Sequence, residues 1–250
     1  VDLDALLQVV ADLGPVVQTQ AVVETGPVPG DSVRIGIARD AAFGFYYPDD
    51  LECLRGAGAE LVQLDLIRDE RLPTVDGLFI GGGFPETSMR ELEANASMRQ
   101  AVRDFIEEGN PVYAECGGLM YLARSLTWRG KTCKMVGAIQ GDAVMYDRPQ
   151  GRGYARLQET AAAPWPRRTG SDPLDEIAAH EFHYSRLENI SPQTVYAYRV
   201  LRGTGVDGRH DGIVYKALLA SYVHMRGVGG NEWPRRFIDY VKAVKAARLR

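Results

Sequence analysis

Apolar and polar positions change rhythm once the chain is well under way. From Val33, short apolar runs alternate with segments in which apolar residues recur every three or four positions. Residues 33–38, 60–66, 77–80 and 111–114 predict strands; 48–57, 86–95 and 97–108 predict helices. The last helix carries Met98, Val102, Phe105 and Ile106 at helical spacing, with Ser97 as its expected N-cap. Strands alternating with helices imply a parallel sheet covered on both faces. After Leu122 the helical spacing gives way to β-type runs at 135–145, 154–157, 181–186, 194–201 and 212–215, and 218–224 reads as a further buried strand. Residues 160–175 read as a mobile loop rich in Pro and Gly. An amphipathic helix over 231–248 closes the chain, with Phe237, Val241 and Val244 inward. Residues 1–31 stand apart: a short helix near 1–7, then a polar linker over 18–30.

Composition narrows the class without naming a reaction. The 250 residues are 45% hydrophobic and 25% charged, ordinary for a globular chain. The formal net charge of -4 and the lack of a basic block argue against nucleic acid. The basic run 242–250 reads as the solvated end of a helix. No apolar run is long enough to span a bilayer, so no membrane partner is expected. Cys53, Cys116 and Cys133 form neither a disulfide framework nor a metal-ligand spacing, which favours a cytoplasmic setting and no metal.

The chemistry gathers around Cys116. An apolar run, 111–114, breaks at Glu115-Cys116, and Gly117-Gly118 lead into an apolar helical start. That is the pattern of a nucleophile elbow, a sharp strand-to-helix turn that lifts a reactive side chain above a sheet edge. A helix N-terminus favours thiolate. A buried structural cysteine is the competing reading. A nucleophilic cysteine needs a base, and His224 is the best placed of four histidines, at the end of the apolar run 217–223. Ligands bind at that edge of open parallel sheets. His180, Glu181 and His183 invite a zinc reading, a cleft lining or plain polar contacts. His210 reads as a loop residue, and Asp211 and Tyr215 as cleft-edge or structural residues. Gly81-Gly82-Gly83 lacks the lysine and Ser/Thr of a phosphate loop. Gly82 or Gly83, with Gly117, could instead offer N–H groups to an oxyanion, or simply make a tight turn.

Elbow cysteine, earlier glycine turn and late histidine occur in the order seen in class I glutamine amidotransferase domains. Local runs sharpen the likeness: Phe43-Gly44-Phe45-Tyr46-Tyr47-Pro48 within 42–52, Gly81-Gly82-Gly83-Phe84-Pro85-Glu86, Glu115-Cys116-Gly117-Gly118-Leu119, His180-Glu181-Phe182-His183-Tyr184-Ser185, and 211–224. Together they resemble the C-terminal glutaminase domain of the cobyrinic acid a,c-diamide synthase family. The resemblance implies a flavodoxin-like α/β three-layer sandwich, with a mostly parallel central sheet and added antiparallel β-segments in the C-terminal half. It implies Cys116 as nucleophile, His224 as its base, and Gly82, Gly83 and Gly117 around the oxyanion. It also implies residues 1–31 as the tail of an N-terminal ATP-binding domain plus linker, and 32–250 as the glutaminase domain. ATP and Mg²⁺ would belong to that other domain, with no cofactor in this chain. The partners implied are glutamine, the synthetase domain and a tetrapyrrole whose carboxylates receive ammonia in cobalamin biosynthesis. A sirohydrochlorin-type acceptor and a non-catalytic docking domain are the alternatives.

Two positions depart from the wider class. Many such domains carry glutamate two residues after the histidine; here the run is His224-Met225-Arg226. Many carry glutamine four residues after the cysteine, where Met120 stands. Glu181 is a candidate to support His224 in place of the missing glutamate, with His183 as a cleft residue.

Overall fold

A computed structural model describes Leu3, Gln8 and residues 32–167, 176–228 and 231–248. The expected tail and linker over 1–31 lie almost wholly outside the described residues. The first half runs β1 (Val33–Ala38), β2 (Phe43–Phe45), α1 (Pro48–Gly56), β3 (Ala59–Leu64), β4 (Gly77–Ile80) and β5 (Gly82–Gly83). A 3-10 turn (Pro85–Ser88), α2 (Met89–Ala94), α3 (Ala96–Glu107), β6 (Val112–Glu115) and α4 (Gly117–Leu122) follow. The second half is β-rich: β7 (Ala123–Trp128), β8 (Lys131–Lys134), β9 (Ile139–Met145), β10 (Gly151–Glu159) and β11 (Glu176–His183). It continues with β12 (Ser185–Glu188), β13 (Val195–Arg202), β14 (His210–Tyr215), β15 (Leu218–Ser221), β16 (His224–Met225) and α5 (Trp233–Arg248).

One ten-stranded sheet carries the molecule, in the order β16-β11-β10-β13-β14-β15-β6-β4-β1-β3. Neighbours from β15 to β3 pair in parallel. From β15 to β16 they pair antiparallel. The antiparallel segments thus extend the same sheet. A smaller sheet, β12-β9-β7-β8, lies beside it, and β2 pairs with β5.

Alternation along the parallel strands builds two cores, because successive side chains leave a strand on opposite faces. Leu78, Ile80, Val112 and Ala114 join one core with Met98, Val102 and Ile106 of α3 and Leu119 of α4. Ile35, Phe79 and Tyr113 join the other with Leu54 of α1 and Phe237 and Val241 of α5. Val244 is only half-buried. Burying one such aliphatic side chain stabilises the fold by roughly 1.5–3 kcal/mol.

Three local expectations are corrected. Asn95 rather than Ser97 caps α3: its side chain accepts from Met98 N at 3.3 Å and donates to Leu66 O at 3.0 Å. Ser97 already lies within the helix. Residues 181–186 are divided between β11 and β12, which belong to different sheets. The start of the 160–175 loop is anchored, since Trp165 packs edge-on against Tyr113 at 4.9 Å; residues 168–175 lie outside the described residues.

Candidate active site

β6 lies inside the sheet between β4 and β15, and it ends in a turn that breaks backbone convention. Cys116 has φ 47° and ψ -98°. A non-glycine residue held at positive φ stores strain that the surroundings must impose. They do so from both sides. Cys116 N donates to Ser221 O of β15 at 2.7 Å, and Cys116 O accepts from Met120 N of α4 at 3.1 Å. The helix then leaves the strand so closely that a Cβ on Gly118 would stand 2.1 Å from Ile80 O. The elbow is therefore present at the edge where parallel strands end, with Cys116 almost buried.

His224 reaches the elbow from just beyond β15, the strand that neighbours β6. β15 runs alongside β6 up to the pair Ser221 and Glu115. Beyond it, the buried Asp211 carboxylate accepts from Tyr222 N and Val223 N at 3.0 Å each. Burial pushes the Asp211 carboxyl up to about 6, against the pull of those N–H donors. The chain then enters β16, where His224 pairs with His180 of β11. The imidazole Nδ1 lies 3.3 Å from Glu115 Oε2. Glu115 Oε1 accepts from Tyr113 OH at 2.5 Å and Met225 N at 3.1 Å. Burial, the largest influence on His224, opposes its charged form. Hydrogen bonds and charge from Cys116 and Glu115 outweigh burial and push the ring up to about 10. This favours an imidazolium at neutral pH, suited to partner a thiolate.

The remaining walls are aromatic and backbone. Phe45 meets the His224 ring edge-on at 5.1 Å, and the His180 ring stacks on it at 5.1 Å and 21°. Tyr47 OH lies 2.9 Å from His180 Nε2. Arg226 sits over the Tyr47 ring at 3.9 Å and pairs with Asp49. Burial and the neighbouring His224 lower the His180 pKa. Gly82 must lack a side chain, since a Cβ there would approach His224 Cε1 to 2.7 Å. Gly83 N lies 2.9 Å from where a Gly117 Cβ would be, so the glycine turn and the elbow meet.

Cys116, His224, Gly82, Gly83 and Gly117 thus converge. Glu181 and His183 do not join them as support for His224. Glu181 accepts from Thr204 N at 2.7 Å and Gly205 N at 2.9 Å, and lies 3.7 Å from His183 Nε2. His183 stacks on Tyr222 at 4.1 Å. The carboxylate beside His224 belongs to Glu115, which the sequence reading passed over. Its signal was present: an acidic residue ending an otherwise apolar strand, directly before Cys116. His210 opens β14 rather than lying in the loop before it, and Tyr215 OH bonds Glu107 Oε2 at 3.1 Å at the surface. Among the described residues, no group of three or more His, Cys, Asp and Glu could hold a metal ion. Among them, too, no helix is long and apolar enough to cross a membrane.

Residues 34–230 match the family model of the CobB/CobQ-like glutamine amidotransferase domain. The chain belongs to that family. This amidotransferase domain is 46% identical over 237 residues to the cobyrinate a,c-diamide synthase of Magnetococcus marinus, covering 93% of this chain and 50% of that protein. It is 40% identical over 245 residues to the cobyrinate a,c-diamide synthase of Archaeoglobus fulgidus, covering 98% of this chain and 51% of that protein. The chain spans about half the length of the curated relatives it matches. Among solved structures, PurLQS from Thermotoga maritima superposes with a TM-score of 0.62 at 14% identity, over 88% of this chain and all of that one. A structure described as glutamine amidotransferase gives 0.59 at 16%, over 83% of this chain and 98% of that one. These likenesses show the class I amidotransferase-like α/β fold expected from the sequence.

Proposed function

We propose that this domain hydrolyses glutamine through Cys116 and His224, and that the ammonia serves amidation in cobalamin biosynthesis. The observation that carries the reading is the strained Cys116 elbow beside His224, whose pKa is raised, against burial, by hydrogen bonds and charge from Cys116 and Glu115. The thiolate attacks the side-chain amide carbon of glutamine, and the carbonyl π electrons move to oxygen. Backbone N–H groups of Gly117 and of Gly82 or Gly83 stabilise that oxyanion. Collapse expels the amine, which takes the proton of His224 and leaves as ammonia. The now neutral ring draws a proton from water, whose oxygen attacks the thioester. Collapse breaks the C–S bond and frees the side-chain acid, which gives its proton to solvent as glutamate; thiolate and imidazolium are restored.

The acceptor follows from the relatives. Those named cobyrinate a,c-diamide synthase are about twice as long as this chain. Their names point to the a- and c-carboxylates of cobyrinate as ammonia acceptors. No G-x-x-x-x-G-K-[ST] run occurs in the sequence, and the chain spans only about half of those relatives. Activation of the carboxylate is therefore assigned to a synthetase half outside this chain, with a tetrapyrrole at the junction of the two.

A diazo-ketone analogue of glutamine tests the first part. An adduct confined to Cys116, blocked by glutamine and slowed by His224→Ala, is the expected result. No adduct, even with a synthetase half present, would sink the reading and leave a docking domain. The acceptor is tested by supplying cobyrinate or sirohydrochlorin to the joined halves with ATP. Mass spectrometry then reads which carboxyl becomes an amide.

A further inference from the structure

The two residues described so far leave one question of geometry. A base that serves a nucleophile must hold one ring nitrogen toward it, and a third group usually fixes that orientation. We infer that Glu115, the residue immediately before the nucleophile, is the positioning residue for His224. The inference rests on the glutaminase reading for its chemistry, but its geometry stands independently.

Side-chain direction makes the contact. In β6, Val112 and Ala114 face the core shared with α3, whereas Tyr113 faces the opposite core. Glu115 shares the Tyr113 side by strand alternation, and the two side chains are hydrogen-bonded. Val223 and Met225, which flank His224, belong to that same core. Glu115 Oε1 is taken by Tyr113 OH and Met225 N, while Oε2 faces the ring. The carboxylate cannot easily turn away, because the phenol and the amide hold its other oxygen. With Nδ1 engaged there, Nε2 is the nitrogen left for Cys116.

Burial makes the pair consequential. The side chains of His224 and Glu115 are only 6% and 4% exposed. An uncompensated carboxylate at such a depth would be costly, so the imidazolium and the carboxylate each justify the other's place. Other nearby acids are committed elsewhere: Asp211 to the 222–223 backbone, Glu181 to the 204–205 backbone, and Asp50 to Gly227 N. Glu115 also shares a turn with Cys116. Nucleophile and positioning group therefore move as one unit, and the angle between thiol and ring is set by adjacent residues.

Glu115→Gln is the decisive variant, read in two ways in this chain. The first is the titration of the His224 ring by NMR, assigned among four histidines by comparison with His224→Ala. The groups facing that ring are Glu115, Cys116 and His180, with Tyr47 and Arg226 beyond His180. The second is the rate at which the glutamine-mimicking diazo-ketone labels Cys116, separated from the concentration at half-saturation. The expected result is a midpoint lower by about one unit or more and labelling slowed by about tenfold or more, at an unchanged half-saturating concentration. If either the midpoint or the labelling rate is unmoved, Glu115 does not position the base. Should the glutamine variant fail to fold, Tyr113→Phe removes the partner of Oε1 while keeping the aromatic ring. It must then move both readouts in the same direction by a smaller amount, and no movement overturns the inference. If the unmodified chain takes no label even with a synthetase half present, the glutaminase reading falls, and the ring titration alone decides whether Glu115 holds His224.

Discussion

This domain buries two histidine–glutamate pairs, and they sit in contrasting company. His224 lies 3.3 Å from Glu115, and His183 lies 3.7 Å from Glu181; all four side chains are nearly inaccessible. In the second pair, the carboxylate is already held by two backbone N–H groups, from Thr204 and Gly205. Its histidine is tied through Nδ1 to Ser185 O at 2.8 Å and lies flat on Tyr222. That pair knits β11, β12 and the 204–205 turn together. In the first pair, the imidazole has beside it a thiol on a strained turn. The residue types are the same in both pairs. What differs is whether the ring has a reactive neighbour once the carboxylate has been satisfied.

The contrast is most easily broken at Cys116. Cys116→Ala should lower glutamine hydrolysis by about 10⁴-fold or more and remove the label. His224→Ala should lower the rate of Cys116 labelling by about 10²-fold or more, because thiol activation is lost. Glu181→Gln should leave labelling unchanged and lower stability by about 1–3 kcal/mol, since its amide group cannot accept from both backbone N–H donors. Chemical denaturation reads that loss, and a comparable fall in labelling would mean that the second pair is not structural. Cys116→Gly should be more stable than Cys116→Ala by about 1 kcal/mol, because only glycine holds the elbow backbone without strain.

The smallest effect separates the pairs by pH. For Glu181, burial raises the pKa, but His183 and the backbone donors outweigh it and lower the carboxyl below 4.5. Its stabilisation is present above the unfolded value and is lost as pH falls through the folded one. The stability gap between the parent chain and Glu181→Gln should therefore narrow on acidification. His224 is raised from 6.5 to about 10. Its stabilisation is complete below 6.5 and is lost as pH rises toward about 10, so the gap to His224→Ala should narrow on alkalinisation. Denaturation midpoints across the two ranges check both signs.

Local signals carried the reading of the sequence furthest. The elbow at 115–118 was legible because a strand, a turn and a helix follow one another within a dozen residues. His224 was legible because an apolar run stops there. Glu115 was not, since its role depends on a residue 109 positions away. The same limit explains the β-rich half. Alternation marked a segment over 181–186, but pairing partners, which only the fold supplies, send His183 and Ser185 into different sheets. Strand β7 went unread because it follows α4 without a turn signal. Asn95 won the α3 cap over Ser97 because its amide also ties the helix start to Leu66 and Ile67, a contact outside any local window.

The strand order holds one further consequence. β15 and β16 are separated by only Tyr222 and Val223, yet they stand at opposite ends of the series β15-β14-β13-β10-β11-β16. The chain itself thus joins the two ends of the series, and Leu157, Ala179, Tyr198, Val223 and Met225 from it share one core. His224 is the clasp of that necklace. Each strand in it is a link whose slippage would be felt at His224, so residues far from Cys116 in sequence take part in keeping the angle between thiol and ring.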